Sequence, residues 1–325
     1  MEKRRLGNSE MQFTPIGIGS AAIGGGGNQY GWGPQDDRDS IATIHHGLDL
    51  GINWIDTAQL YGRGHSEKMV GKAIKGRRDK LYIATKCGIL WNKDGSDVSH
   101  HLKTASIKTE CEYSLKRLRT DYIDLYQIHW PMPDEDIEEG WSAISDLIQQ
   151  GKVRYGGVSN FSIEQMERIQ KILPITSLQP PYSMLKREVE KGILDFCAKQ
   201  RIGVIVYSPL QEGLLTGKFT AERAAALPED DQRKRNIMFQ EPRLSLILDF
   251  VDKLRSIAAE IKQPVANIAL AWTLRRPEVT GAIAGARRPD QIDETYKTMD
   301  LKLTPGEWAR VDTLIANYEK KVAEA

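Results

Sequence analysis

Short apolar runs alternate along this chain with segments whose apolar residues recur at helical spacing, and that rhythm leaves few folds open. Asn53-Trp54-Ile55, Leu81-Tyr82-Ile83-Ala84-Thr85 and Tyr122-Ile123-Asp124-Leu125-Tyr126-Gln127-Ile128 each read as a buried parallel strand. Residues 37–50 carry Ile41, Ile44, Leu48 and Leu50 at helical spacing, with Gly51 closing the helix. The cycle continues through predicted helices near 65–75, 103–118, 136–150, 162–171, 187–200, 244–260 and 265–275. Strands are expected at 52–56, 81–86, 122–128, 153–158, 175–179, 203–207 and 280–284. Repeated βα units build a parallel sheet. Eight strands fit if Ile16-Gly17-Ile18-Gly19 is the first. The fold class expected is therefore α/β, a (β/α)8 TIM barrel occupying residues 1–325 as a single domain. Residues 2–15 are expected to form a hairpin plugging the barrel's bottom, and a helix from about 305 to be an extra cover. Two long connections, 20–36 and 210–243, follow predicted strands and belong over the catalytic face, where long loops are usually functional.

Composition removes several classes of function. The 45 basic and 44 acidic residues nearly cancel, so no global field draws the chain to nucleic acid or an anionic membrane. Cys87, Cys111 and Cys197 are odd in number and widely spaced, which suits free thiols in a reducing compartment. Cys87 follows Lys86 and reads either as a reactive thiol or, as free Cys more often is, as a small packed hydrophobe. The basic start Met1-Glu2-Lys3-Arg4-Arg5-Leu6 has no signal-peptide apolar stretch, and no run approaches a membrane span. A soluble cytoplasmic protein is expected, monomeric or weakly associating. His45-His46 and His100-His101 are adjacent pairs that point apart on helix or strand, so no metal site is expected. Gly17-Ile18-Gly19-Ser20-Ala21-Ala22 matches a dinucleotide-binding glycine pattern, but the glycines at 24–27, 31 and 33 and Pro34 cannot sustain the helix that motif must open.

The polar residues at the strand ends carry the chemistry. Asp56, Lys86 and His129 stand at or just past the ends of three successive apolar runs, and Tyr61 follows closely on the first. In a (β/α)8 barrel those ends converge on one pocket. Reduction of a carbonyl needs a hydride donor and an acid for the developing alkoxide. Tyr61 can be that acid, because a neighbouring ammonium lowers a phenol's pKa from about 10. Lys86 supplies the ammonium, Asp56 holds it, and His129 orients the carbonyl by a hydrogen bond. Each residue alone reads as an ordinary structural group; their conjunction at neighbouring strand ends reverses that reading.

At this point the sequence resembles the aldo-keto reductase superfamily. The matching stretches are Asp56-Thr57-Ala58-Gln59-Leu60-Tyr61-Gly62, Ala84-Thr85-Lys86, Asp121 through His129, Gly156-Gly157-Val158-Ser159-Asn160, and Gly285-Ala286-Arg287-Arg288-Pro289-Asp290-Gln291. The segments at 61–67 and 213–218 look most like the bacterial branch containing general stress reductases. The resemblance implies that Asp56, Tyr61, Lys86 and His129 form a catalytic tetrad in an NADP(H)-dependent oxidoreductase acting on a small-molecule carbonyl or alcohol. It implies that Ser159, Asn160 and Gln179 hold the nicotinamide amide and that Tyr207 stacks on the ring. Read by itself, Asn160 is a helix cap and Tyr207 a core aromatic. Ser20, Ala21, Asp56, Ser208, Pro209, Leu210, Gly213, Leu214 and Lys218 are further implied cofactor contacts, the last few wrapping the pyrophosphate. Gly285, Arg287, Gln291, Glu294 and Thr295 are implied at the adenosine end. Two arginines before a short helix favour a 2′-phosphate, though a solvated basic pair is the plain alternative. The chain departs from the family at Ala284, where Pro is usual, and at Thr295, where Asn is common. An aromatic substrate pocket is expected from Tyr30, Trp32, Trp91 and Trp130, beside Tyr61 and His129. Potassium-channel β subunits share this fold and tetrad, so a nucleotide-binding redox sensor or regulatory subunit stands as the alternative. A metal-dependent barrel lyase or hydrolase would need ligands at the later strand ends, where none is seen.

Overall fold

A computed structural model describes residues 2–27 and 29–324 of the chain. Eight strands pair in parallel in sequence order: β1 (Ile16–Gly19), β2 (Trp54–Asp56), β3 (Tyr82–Cys87), β4 (Ile123–Ile128), β5 (Val153–Ser159), β6 (Ser177–Gln179), β7 (Gly203–Val206) and β8 (Val279–Gly285). The last returns to the first, pairing Gly285 with Gly19, and closes the (β/α)8 TIM barrel. Strand ends differ from the sequence expectation by at most two residues, the range over which local pattern is least decisive. The N-terminal hairpin pairs Arg4–Arg5 with Gln12–Phe13, and the final helix runs Pro305–Glu324.

Strand alternation sorts the side chains into two cores. Ile16, Ile18, Ile55 and Ile83 point outward into the large layer between barrel and helices. Trp54, Ala84, Leu125, Ile205 and Ile283 point inward and meet Leu6, Met11 and Phe13 of the hairpin, which therefore plugs the barrel from below. Trp54 is the largest of these. It stacks on Phe13 with ring centroids 4.7 Å apart, and its indole N–H donates to the Thr14 carbonyl at 2.9 Å. Two strands give it room by carrying no side chain: a Cβ on Gly17 would lie 2.1 Å from the indole, and one on Gly281 2.9 Å. Inward residues two steps further along the same strands, Asp56, Lys86 and Gln127, lie on the layer above this apolar floor.

Three local departures from the sequence pattern have physical reasons. The helix expected at 187–200 is split, with a short 3-10 turn at Glu188–Glu190 and the helix proper at Ile193–Gln200, because Gly192 sits at φ +103° between them. The connection after β3 folds back as an antiparallel hairpin, Ile89–Trp91 against Val98–His100, in a stretch whose periodicity gave no strand signal. The two long connections do more than overhang the face. Gly31 bridges to Asp231, the Gln232 N–H donates to the Gly31 carbonyl, and the Arg233 guanidinium lies 5.3 Å from the Trp32 ring centroid. The glycine pattern at residues 17–22 opens no α-helix; Gly19 ends β1 and a 3-10 turn follows at Ala21–Gly24.

The crowding at Gly17 yields an expectation for stability. Gly17→Ala should lower the unfolding free energy by about 1–3 kcal/mol, the range for overfilling a packed core. Urea denaturation followed by tryptophan fluorescence reads it; an unchanged midpoint would mean that the indole is not confined as described.

Candidate active site

The register of the barrel explains why residues far apart in sequence meet. Asp56 pairs across the sheet with Gly19 and Ala84, and Lys86 with Gln127, so inward side chains from neighbouring strand ends come within reach of one another. Lys86 is 1% exposed, and its ammonium donates to the Asp56 carboxylate at 2.6 Å, to the Thr57 carbonyl at 3.0 Å and to the Tyr61 hydroxyl at 3.3 Å. The other Asp56 oxygen accepts from the Gln179 amide at 2.8 Å, so one carboxylate ties β3 to β6 across the barrel. Tyr61 sits on the loop after β2, and its ring meets the His129 ring edge-on with centroids 6.1 Å apart. The four residues expected to act together are together.

Burial sets their electrostatics. For Lys86, burial alone would lower the pKa, but the Asp56 carboxylate and then Tyr61 outweigh it and raise the pKa above its ordinary value. The ammonium is therefore kept. The Tyr61 phenol is raised, not lowered. Burial is the larger influence, and the pull of Lys86 only moderates it. This corrects the expectation of a net downward shift, because sequence shows the neighbouring ammonium but not the desolvation. His129 is held well below its usual value by burial, then by Lys86 and His100, and so is neutral near pH 7. Cys87 is buried at 1% exposure and its thiol is pushed well up, which favours the packed reading over a reactive one.

A cleft of about 720 Å³ opens over this layer. Asp56, Tyr61, His129, Ser159, Asn160 and Gln179 are on its wall at the strand ends, with Tyr207, Ser208, Pro209, Leu210 and Gly213 beyond them. Asn160, at φ +64°, is no helix cap; Ser162 caps the following helix. Instead the Asn160 amide donates to the His129 carbonyl at 3.1 Å and to the Ser159 hydroxyl at 3.0 Å, and its oxygen accepts the Tyr207 hydroxyl at 2.9 Å. Nor is Tyr207 simply a core aromatic: it packs against the inner core and also lines the cleft. Ala21, Lys218, Gly285, Arg287, Gln291, Glu294 and Thr295 line the far end. Lys218 is paired there with Glu294. The loop Gln211–Thr216 is a 3-10 stretch broken by positive φ at Glu212 and Gly213.

Some expected residues are not on the wall. Ser20 is fully buried beneath it, donating to the Asp56 carbonyl at 2.9 Å, and Leu214 is fully buried as well. Trp91 stands behind Tyr30, edge-on at 5.7 Å, with its indole N–H on the Leu60 carbonyl, whereas Tyr30, Trp32 and Trp130 reach the cleft. Sequence reading also missed wall residues on the long connections, among them Gln35, Glu212, Gln232 and Arg233. Only the length of those connections marked them. Arg287 is less free than a solvated basic pair: it donates to the Gln35 side chain at 2.6 Å, to the Trp32 carbonyl at 2.9 Å and to the Pro34 carbonyl. Among the described residues no cluster of His, Cys, Asp or Glu fit for a metal ion occurs.

The buried ion pair generates a measurable expectation. Asp56→Ala leaves an ammonium without its anion and should destabilise the fold by about 3–5 kcal/mol in urea denaturation. Adding Lys86→Met removes the stranded charge and should recover part of that loss; strictly additive losses would show that the two side chains do not interact.

Comparison with known proteins agrees with this geometry. The model of the Aldo/keto reductase family matches residues 15–316. Aldo-keto reductase YhdN of Bacillus subtilis is 39% identical over 98% of this chain and 94% of its own length. The NADH-specific methylglyoxal reductase of Escherichia coli is 32% identical over 94% and 95%. Among solved structures, the glycerol dehydrogenase AKR11B4 from Gluconobacter oxydans superposes with a TM-score of 0.87 at 37% identity, covering 98% of this chain and 96% of that one. A barrel of this topology, a family model matched over residues 15–316 and relatives matched over almost their full length lead to one conclusion: the chain belongs to the aldo/keto reductase family.

Proposed function

We propose that the protein is an NADP(H)-dependent oxidoreductase that interconverts an aldehyde or ketone and its alcohol, with Tyr61 as the general acid. The observation that carries this reading is the chain of contacts from Asp56 through Lys86 to the Tyr61 hydroxyl, open to a cleft at the barrel mouth. Methylglyoxal and glycerol are the first compounds to try, given what two relatives are named for.

The residues present suit a nicotinamide dinucleotide. Ser159, Asn160 and Gln179 offer the donors and acceptors an amide requires, and Tyr207 offers a ring face beside them. Gly285 has open space where a Cβ would be, which lets a ligand approach the backbone. At the far end Arg287 spends three of its N–H groups on the loop over residues 32–35, and a guanidinium has five, so two remain for a 2′-phosphate. Arg288, paired with exposed Asp290 at the start of helix Pro289–Tyr296, adds a second charge. When bound, the dinucleotide supplies or accepts the hydride. The protein's own part is acid–base and electrostatic. Tyr61 holds its proton near neutral pH and gives it to the substrate oxygen; Lys86, held in place by Asp56, stabilises the phenolate left behind; neutral His129 donates a hydrogen bond that fixes the carbonyl.

Two experiments test the assignment. Tyr61→Phe should remove nearly all carbonyl reduction while leaving NADPH binding intact, and Lys86→Met should cut the rate and move the pH limb of any remaining activity upward, because the phenol loses the one neighbour that lowers its pKa. Unchanged rate and limb in Lys86→Met would remove the proton relay. NADPH binding without turnover of any aldehyde, ketone or sugar in a panel would favour the sensor reading. For the cofactor, NADPH should bind more tightly than NADH, and Arg287→Ala or Arg288→Ala should narrow the gap by roughly tenfold, the worth of one charge-assisted contact of about 1.5 kcal/mol. Equal affinities in the unmutated protein would assign the site to either dinucleotide.

A further inference from the structure

Behind the cleft lies a group of buried polar side chains that the proposed chemistry does not use. Glu110, on helix Thr104–Leu118, is 1% exposed. One of its oxygens accepts the backbone N–H of Gly88 at 2.7 Å, two residues beyond Lys86, and also the amide of Gln59, two residues before Tyr61. The other oxygen accepts the Ser106 hydroxyl at 2.8 Å. Gln59 is itself anchored, donating to the Ile89 carbonyl at 2.7 Å. A second carboxylate completes the bracket. Glu67 accepts the Thr85 hydroxyl at 2.6 Å, beside Lys86, and Arg117 at 2.6 Å, while Arg117 reaches the Gln59 oxygen at 3.5 Å. The loop carrying Tyr61 and the strand carrying Lys86 are thus joined twice from below. None of Gln59, Glu67, Glu110 or Arg117 is on the cleft wall.

We propose that Glu110 and Gln59 are positioning residues that set the separation between the Tyr61 hydroxyl and the Lys86 ammonium. That contact is 3.3 Å, near the outer limit of a useful hydrogen bond, so a small slip of loop against strand decides whether it exists. Tyr61 lies outside the strand ladder; its loop meets β3 and the segment after it through the Thr57 N–H on the Ala84 carbonyl at 2.9 Å and the Gln59 amide on the Ile89 carbonyl, and the Glu110 carboxylate is the group that binds Gln59 and the Gly88 N–H with one oxygen. Burying a carboxylate costs stability compared with packed apolar groups, so this is an expensive way to fill space and an effective way to fix two backbone segments. Burial raises the Glu110 carboxyl to about 7 against the hydrogen bonds from Gly88, Ser106 and Gln59 and the charge of Arg117, with Cys87, Cys111, Tyr126 and Glu67 nearby. Glutamine, neutral and of the same shape, is therefore its conservative replacement.

The inference rests on the proposed reductase reading for its kinetic arm, and a second arm needs no substrate. In the full chain, Glu110→Ala and Gln59→Met should lower kcat about a hundredfold on whichever carbonyl the unmutated protein reduces, the scale of a misplacement near 1 Å, with KM and NADPH affinity little changed. Glu110→Gln should recover most of kcat. In parallel, tyrosine labelled with 13C at Cζ reports phenol ionisation by NMR, with Tyr61→Phe identifying the resonance. The Tyr61 titration should move to higher pH in Glu110→Ala and Gln59→Met, toward its position in Lys86→Met, and stay in place in Glu110→Gln. If Glu110→Ala fails to fold, Gln59→Met carries the test. An unmoved Tyr61 titration in the variants that fold overturns the inference whatever their activity. Absence of turnover in the unmutated protein counts against the reductase reading alone, since the NMR result still decides this one.

Discussion

The ion pair between Lys86 and Asp56 is the constraint on which the rest of the site depends. An ammonium at 1% exposure has lost almost all its water, and an isolated charge in that position would neutralise instead. It stays charged because three oxygens surround it, those of Asp56, Thr57 and Tyr61. Meeting that requirement fixes geometry well beyond the pair. Asp56 must point inward at the top of β2, the backbone at Thr57 must turn its carbonyl inward, and Tyr61 must come back over the strand end. Gln179 holds the second carboxylate oxygen and keeps Asp56 from rotating away. A stability requirement and the proposed catalytic arrangement are satisfied by one set of contacts.

Beneath that layer the barrel is apolar, and the division between the two layers is sharp. Trp54 occupies the interior one inward step below Asp56, Ala84 stands below Lys86, and Leu125 stands below Gln127. The indole is accommodated because Gly17 and Gly281 leave space on strands β1 and β8. The glycines in Ile16-Gly17-Ile18-Gly19 therefore serve packing where a nucleotide motif was the competing interpretation. With the hairpin packed under the barrel and the apolar layer above it, Lys86 and Asp56 are left 1% and 2% exposed, and burial governs the pKa values around them.

What was legible in the sequence follows from what has a period. Strands alternate with a period of two, so Trp54 and Asp56, Ala84 and Lys86, and Leu125, Gln127 and His129 could be placed on one side of the sheet from their spacing alone. Tyr61 was legible through the family resemblance of its surrounding segment. Three things had no period to reveal them. The hairpin Ile89–Trp91 with Val98–His100 is too short to show alternation. The meeting of the two long connections through Gly31, Asp231, Trp32 and Arg233 joins residues about two hundred positions apart with no helical or strand pattern at either end. Glu110 lies on a helix among other charged residues, and its inward orientation is visible only once the helix is packed.

The direction of the Tyr61 shift shows the same limit with a chemical consequence. Two influences oppose each other at the phenol: burial, which favours the neutral form, and the Lys86 ammonium, which favours the phenolate. Sequence supplies the second, while only the folded protein supplies the first, and the first is larger. With Tyr61 in its proposed role this balance has a direction. A phenol that keeps its proton at neutral pH is ready to donate, which is what carbonyl reduction requires. Alcohol oxidation requires the phenolate, which is the scarce form until the pH rises. His129, held neutral beside it, adds no positive charge that would stabilise phenolate further. Lys86 thus does not turn Tyr61 into a base; it limits how far burial can weaken it as an acid.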